Sequence, residues 1–378
     1  MSRLLFIGLT LVLSACERAP SQEATVRDSS GITIVENGVA DRELGWGFEL
    51  VATIGGPDHE VELNELTEYT VDADTLGHIF IIDTWFGTRV QSADTGGRLL
   101  SHLTRRGGGP GEVDQGVSIS ASGDGVLAVM DMSKAGLVRV RWDGQALPFL
   151  RLLGYEFFGA ARASGDTVVL HTMNSEDSDW PEQIQYRTST DTATLVIHRP
   201  ARLGWIPFCN DGMAGLTKML VPDLRWTTRG SITLVHHTDD YRIDVYRQAR
   251  LIRSVRREVP PVSGTTEAVR RFFPGGKVIG SRDCVVPPEQ LATRRGVAPV
   301  VQPIRRLALD LEGRLWAERN TFPDEPPRTD VFDSTGRYLG TTSGIGAPLG
   351  FPSRSLLLLA LPDSVSNLPR LGVFRRVQ

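Results

Sequence analysis

Residues 71–112 constrain this chain more than any other stretch. Val71-Asp-Ala-Asp-Thr-Leu-Gly77-His-Ile-Phe-Ile-Ile-Asp83 is followed by Thr88-Arg-Val-Gln91, by Gly97-Arg-Leu-Leu-Ser-His-Leu103 and by the glycine-rich Arg106-Gly-Gly-Gly-Pro-Gly-Glu112. Short apolar or alternating runs separated by Asp/Gly turns make one antiparallel meander of about four strands. Such a meander is only marginally stable alone in water, so it must pack against something. The rest of the sequence supplies further copies of it.

The second copy contains Val117-Ser-Ile-Ser120, Gly125-Val-Leu-Ala-Val-Met-Asp131 and Leu137-Val-Arg-Val-Arg-Trp142. The third occupies 161–171 and resumes at Gln185 and Thr194; the fourth takes 229–237, 241–246 and 250–255; the fifth takes 307–318, 329–332 and 336–340. Each is anchored by a turn glycine before an alternating strand: Gly77, Gly125, Gly165, Gly230 and Gly313. The shorter spacings are near the period of propeller blades, about 40–50 residues. The longer ones hold insertions at 174–182, 201–220 and 260–301. Strands expected at 31–36 and 48–54 precede the first full copy, and two more follow the last, at 356–360 and 370–375. Together they complete a sixth unit split between the chain ends. The fold class is therefore all-β, a six-bladed β-propeller closed by N- and C-terminal strands in one blade, an arrangement that removes the exposed sheet edge. Within 260–301, short helices are expected at 265–273 and at 288–295, the second opened by Pro288 and stopped by Gly296. This insertion is read as a small cap on one face of the ring.

The pattern Asp-x-x-Gly-x-Ile-x-x-x-Asp over 74–83, with the later Arg-Val-Gln, Gly-Arg-Leu-Leu and Gly-Gly-Gly-Pro-Gly-Glu, resembles the NHL-type repeat. In particular the chain is similar to the bacterial six-bladed β-propeller lipoproteins that carry a Gly-Pro-Gly-Glu loop. The likeness covers nearly all of the mature chain and is sharpest in the first, fourth and fifth units. It implies the fold strongly and the function weakly, since propellers serve as binding proteins, lyases, lactonases and esterases alike.

The first residues read as an export signal. Arg3 precedes an apolar run at 4–13, about ten residues where a bilayer crossing needs roughly 20. The run ends in Leu13-Ser-Ala-Cys16, which resembles the bacterial lipoprotein signal; a plain secretory signal cleaved nearby is the alternative. In lipoproteins the equivalent of Cys16 becomes the mature amino terminus and carries several acyl chains, which hold a protein at the membrane where one chain does not. The expected organisation is a signal peptide over 1–15, a polar flexible tether over 16–30 and the propeller over 31–378. The expected address is the bacterial cell envelope, on the periplasmic side or at the outer membrane. Glu17 after the lipid cysteine favours the outer membrane in well-studied lipoproteins. The remaining cysteines, Cys209 and Cys284, suggest a disulfide in an exported protein, with two separate buried thiols as the alternative.

The net charge of −4 gives no overall attraction to nucleic acid. The Gly107–Glu112 loop lacks the Gly-Lys-Ser/Thr and the helix that a phosphate loop requires, so its glycines are read as a sharp turn between an outer strand and the next inner one. Six places after each anchor glycine stand Asp83, Asp131, His171, His236 and Arg319. In a radial repeat such positions share one face, so with His237 they form a candidate ring at the channel mouth. Two carboxylates and two imidazoles there could hold Ca or Zn, or serve as acid and base. Asp83 and Asp131 are equally good turn formers. The sequence has no Gly-x-Ser-x-Gly elbow, no His-Glu-x-x-His and no cysteine pair at metal spacing. Whether Glu68, Asp72, Asp223 or Asp310 converge on the axis is not legible. Residues 247–306 are strongly basic, and Arg270, Arg271, Lys277, Arg282, Arg294 and Arg295 could meet an anionic partner, or pair with acids of adjacent blades. The expected role is a binding module for a peptide, glycan or partner protein. A metal-dependent lactonase-, esterase- or lyase-like enzyme at the channel mouth is the alternative, and a structural envelope component a third.

Overall fold

The computed structural model describes residues 24–377 except 57–58, 62, 64–65, 84–86, 153–156, 166, 174–180, 201, 209–211, 280 and 362–368. Cys16, Cys209, the signal segment and most of the 174–182 insertion lie outside the described residues.

The repeats fold as read. The first blade is Val71–Ala73, Ile79–Ile82, Val90–Ala93 and Leu99–His102, four antiparallel strands in sequence order. The second begins at Gly116–Ala121, the third at Phe157–Ser164, the fourth at Arg225–Arg229 and the fifth at Ile304–Leu309, each running from an inner to an outer strand. All five anchor glycines have positive φ, from 55° to 92°. In this left-handed region a Cβ is unfavourable, which is why the turn after each inner strand carries glycine.

Burial shows how the blades form a ring. One apolar cluster joins the first and second blades through Phe80, Ile82, Ile119 and Val129. Others join the second to the third, the third to the fourth, the fourth to the fifth and the fifth to the sixth. The last joins sixth to first, packing Ile54, Leu358, Leu371 and Val373 against Val71, Ile79 and Ile81. Every blade therefore buries both faces, and the circle is complete. The protein is a six-bladed β-propeller, 51% strand and 5% helix.

Closure uses one N-terminal strand, not two. Gly47–Ile54 pairs antiparallel with Arg370–Val377, which pairs with Leu356–Leu361. The segment at 349–350 takes the innermost place by bonding to Leu358. The strand expected at 31–36 belongs elsewhere. Thr25–Ser29 and Ile32–Asn37 form a hairpin, and the latter pairs in parallel with Arg250–Arg257, the outer strand of the fourth blade. The stretch read as tether is thus a strand from Thr25. Between hairpin and closing strand, Leu44 N donates to Thr341 O at 2.9 Å and Thr341 N donates to Arg42 O at 2.7 Å along the outer strand of the fifth blade. One N-terminal strap covers the outer edges of three successive blades. Alternating apolar residues marked both strands, but a period of two does not specify the partner.

The cap draws on two insertions. Helices Thr266–Phe272 and Pro288–Arg295 form where expected, the first capped by Thr265 Oγ1 accepting from Ala268 N at 3.1 Å. With the hairpin Lys277–Ile279/Ser281–Val286 they enclose Val269, Ile279, Cys284, Val286 and Leu291. Met219, from the 201–220 insertion, completes this core and exchanges backbone bonds with Gly296 and Ala298. Cys284 is disulfide-bonded.

Candidate functional site

Strand order fixes which residues can meet. In an antiparallel blade the turns from first to second strand lie on one face. The turns from second to third strand, and the connections between blades, lie on the other. The cap, both insertions that form it and the Gly107–Glu112 loop therefore share this second face. That loop is a structural turn: Gly109 N donates to Glu112 Oε2 at 2.7 Å, and Arg105 Nε donates to Glu112 Oε1 at 2.8 Å.

The positions six after the anchor glycines all stand on the cap-side face, yet no hydrogen bond or ion pair joins any two of Asp83, Asp131, His171, His236, His237 and Arg319 among the described residues. Asp83 receives Arg89 Nε at 3.4 Å. Asp131 organises a turn, accepting from Asp114 N at 2.8 Å and Ser133 Oγ at 2.8 Å. His171 meets Glu182 on the neighbouring strand at 3.3 Å. His236 donates Nδ1–H to Arg242 O at 2.8 Å, and burial pushes its pKa down to about 4. His237 stacks edge-on against His198 with ring centroids 6.1 Å apart, and burial lowers its pKa too. No three His, Cys, Asp or Glu side chains gather in a metal-binding geometry among the described residues.

Arg319 is the member that reaches a cavity. A groove of about 910 Å³ lies on the cap-side face between the fourth and fifth blades. An ion-pair network forms part of its lining. Asp330, fully buried, accepts from Arg257 Nη1 at 2.9 Å, Arg319 Nη2 at 2.9 Å and Thr341 Oγ1 at 2.6 Å. Asp41, from the N-terminal strap, accepts from Arg257 Nη2 at 2.6 Å and Arg328 Nη2 at 2.6 Å, and also pairs with Arg319. The Arg257 guanidinium lies 3.9 Å from the Tyr338 ring centre, a cation–π contact. Burial alone would raise the Asp41 pKa, but the hydrogen bonds and charges of Arg319 and Arg257 outweigh it and hold the carboxyl far below its ordinary range. Burial likewise opposes the Arg319 charge, and Asp41 and Asp330 outweigh it, raising that pKa. Val259, Pro260, Pro261, Val262 and Phe322 contribute apolar lining, and Asp239, Asp240 and Glu325 contribute acids.

The basic residues of the cap are placed as follows. Arg270 pairs with Glu289 at 2.8 Å and with Glu267. Arg271 joins Asp324 and Glu325 of the fifth blade, both at 2.9 Å, and lies 3.6 Å from the Phe322 ring centre. Lys277 stands 5.9 Å from the Phe273 ring, with its pKa lowered by burial. Arg295 is buried and donates to Thr217 O at 2.9 Å, tying the two insertions together. Arg294 stands in the last turn of the second cap helix, and Arg282 lies on the second strand of the cap hairpin.

A second cavity, about 270 Å³, lies in the central channel toward the opposite face. Glu68 and Asp72 line it with Arg162 and Arg229. Asp72 accepts from Ala73 N at 2.8 Å, Ala121 N at 2.9 Å and Arg162 Nη1 at 3.2 Å. Glu68 faces Arg306 at 3.6 Å. Asp310 instead caps its own turn and pairs with Arg314 at 2.7 Å, and Asp223 is an exposed partner of Arg225. Sequence reasoning missed Asp41, Arg257 and Asp330 in the groove and Arg162 and Arg229 in the channel. Arg229 alone had a signal, standing immediately before an anchor glycine.

No family model matches the chain, and no curated protein is significantly similar to it in sequence. Among solved structures, one similar fold is a candidate exported protein of Bacteroides fragilis, at 12% identity over 91% of this chain and 100% of that one, with a TM-score of 0.51. A member of the DUF4221 family from Bacteroides vulgatus aligns at 10% identity over 95% and 99%, with a TM-score of 0.49. A gluconolactonase of Xanthomonas campestris aligns at 12% identity over 82% and 89%, with a TM-score of 0.42. At this identity the first likeness shows the propeller fold and nothing finer.

Proposed function

We propose that the protein is an exported binding module, anchored by lipid at Cys16, that takes a peptide segment in the groove between the fourth and fifth blades. One observation supports this above others: the charged groups of the groove network are locked into mutual ion pairs. Asp41 is held as the carboxylate and Arg319 as the guanidinium. Groups so fixed orient a ligand through constant charge and do not exchange protons near neutral pH. The apolar lining from Pro260, Pro261, Val262 and Phe322 gives a peptide surface to bury, and Asp239 and Asp240 favour basic side chains at its edge. A glycan or a folded partner protein is the other form such a ligand takes. The cap and strap carry the groove on a rigid ring, which suits recognition by several loops at once.

The experiment is titration calorimetry of the purified protein with a library of basic peptides and with envelope glycans. A saturable 1:1 response is expected, weakened at least tenfold by Phe322→Ala. Turnover of a lactone or ester that requires about one equivalent of Ca or Zn would replace this reading with the enzyme. For the anchor, Cys16→Ala should move the protein from the membrane to the soluble fraction, and unchanged fractionation argues against lipidation.

A further inference from the structure

The central channel holds a guanidinium, Arg229, that no carboxylate contacts directly among the described residues. Asp72 is engaged by two backbone N–H groups and Arg162, and Glu68 is turned toward Arg306. Arg229 donates Nε–H to Leu309 O at 3.0 Å and lies 5.9 Å from the Phe351 ring centre. No carboxylate stands within ion-pair distance of it among the described residues. Burial lowers its pKa and the charge of Arg162 adds to that, while Asp72 and Asp310 offset part of it without pairing with it. A guanidinium largely withdrawn from water beside a second guanidinium is unfavourable unless something neutralises it.

We propose that this cavity is a binding site for a small oxyanion, a carboxylate or phosphate group held by Arg229 with Arg162 alongside. The planar fork of a guanidinium matches two oxygens of either group. The way in lies between the first-to-second-strand turns. At two of these the cavity is lined by glycine, Gly123 and Gly230, so no side chain from those turns crosses it. The cavity's 270 Å³ admits a molecule of a few heavy atoms and excludes a polymer. It lies on the face opposite the groove, so the site stands or falls independently of the peptide reading.

The test is titration calorimetry of the purified protein with sodium malonate and with inorganic phosphate, against sodium chloride at equal ionic strength. Saturable 1:1 binding of at least one probe is expected, weakened tenfold or more in Arg229→Gln, partly retained in Arg229→Lys and unchanged in Phe322→Ala. Preference for malonate points to a carboxylic acid as the natural ligand, and preference for phosphate to a phosphorylated one. Binding of neither probe, or equal binding by Arg229→Gln, overturns the proposal. Should Arg229→Gln fail to fold, phenylglyoxal labelling of the unaltered protein gives the same answer. The better-binding probe should protect Arg229 from modification, and absence of protection overturns the site.

Discussion

At the end of the second strand of the fourth blade, the His236 imidazole is almost wholly buried, with Nδ1 bonded to a carbonyl and Nε2 facing no partner among the described residues. Burial is the main cause of its lowered pKa, about 4, and the adjacent His237 and Arg225 add to it against the pull of the Arg242 carbonyl and Asp240. The unfolded chain binds the proton near pH 6.5 and the folded chain only near pH 4. Stability is therefore complete above pH 6.5 and falls as the pH drops toward 4. Between pH 7 and 5 the loss should be about 2 kcal/mol. Asp41, whose folded pKa is depressed, loses its contribution only below the ordinary carboxylate range, so the two effects separate. Urea denaturation at both pH values should show the drop in the unaltered protein and most of it abolished in His236→Gln. The remainder belongs to His237. A pH-independent midpoint in the unaltered protein contradicts the assignment. Counting six residues from each anchor glycine placed His236 and Arg319 on one face, the cap side, because the repeat repeats its backbone. It could not tell a buried histidine from a ligand, nor supply Asp41 and Asp330 as partners for Arg319. Those partners come from a linker without pattern and from the next strand.

Among the elements, local signals were sound where a residue acts on its immediate neighbours. Pro288 opens the second cap helix and Gly296 ends it, and the five turn glycines adopt the backbone for which glycine is needed. Pairing between distant elements was less legible. Ile32–Asn37 reads as a strand but lies beside Arg250–Arg257, not beside the C-terminal strands. The cap likewise needs Met219 from a separate insertion, which no periodicity links to 260–301. Its small core sits apart from the six inter-blade clusters, and the disulfide at Cys284 should matter most to it. A cross-link of this kind typically contributes about 2–4 kcal/mol, in large part through the unfolded chain. Cys284→Ser should therefore speed amide exchange in Thr266–Phe272 and Pro288–Arg295 while leaving Ile79–Ile82 and Val126–Asp131 as slow as before. Equal acceleration in those blade strands would mean that cap and ring unfold as one unit.

For the whole molecule, the decisive fact is that the ring has no spare contact. Each blade is sandwiched between two neighbours, so an opening between any two exposes two apolar faces, and loss of the closing strand exposes a strand edge as well. Gly47–Ile54 guards that position in the sixth blade, pairing along Arg370–Val377 from Leu371↔Ile54 to Val377↔Gly47. The hairpin ahead of it does less. It covers an outer strand already rich in arginine, at Arg250, Arg253, Arg256 and Arg257, which resists edge pairing by charge. Two truncations should behave differently. A chain starting at residue 39 loses the burial of Ile34 and Val35, roughly 1.5–3 kcal/mol for each side chain, but keeps a closed ring. It should remain monomeric with one cooperative thermal transition at a lower temperature. A chain starting at residue 55 leaves the Arg370–Val377 edge unpaired and strips Ile54 from the cluster joining the sixth and first blades. It should self-associate in light scattering and lose a single sharp transition. A monomeric, cooperatively melting product from the second truncation would show that the blades cohere without the N-terminal strand, and that its pairing decorates the ring without closing it.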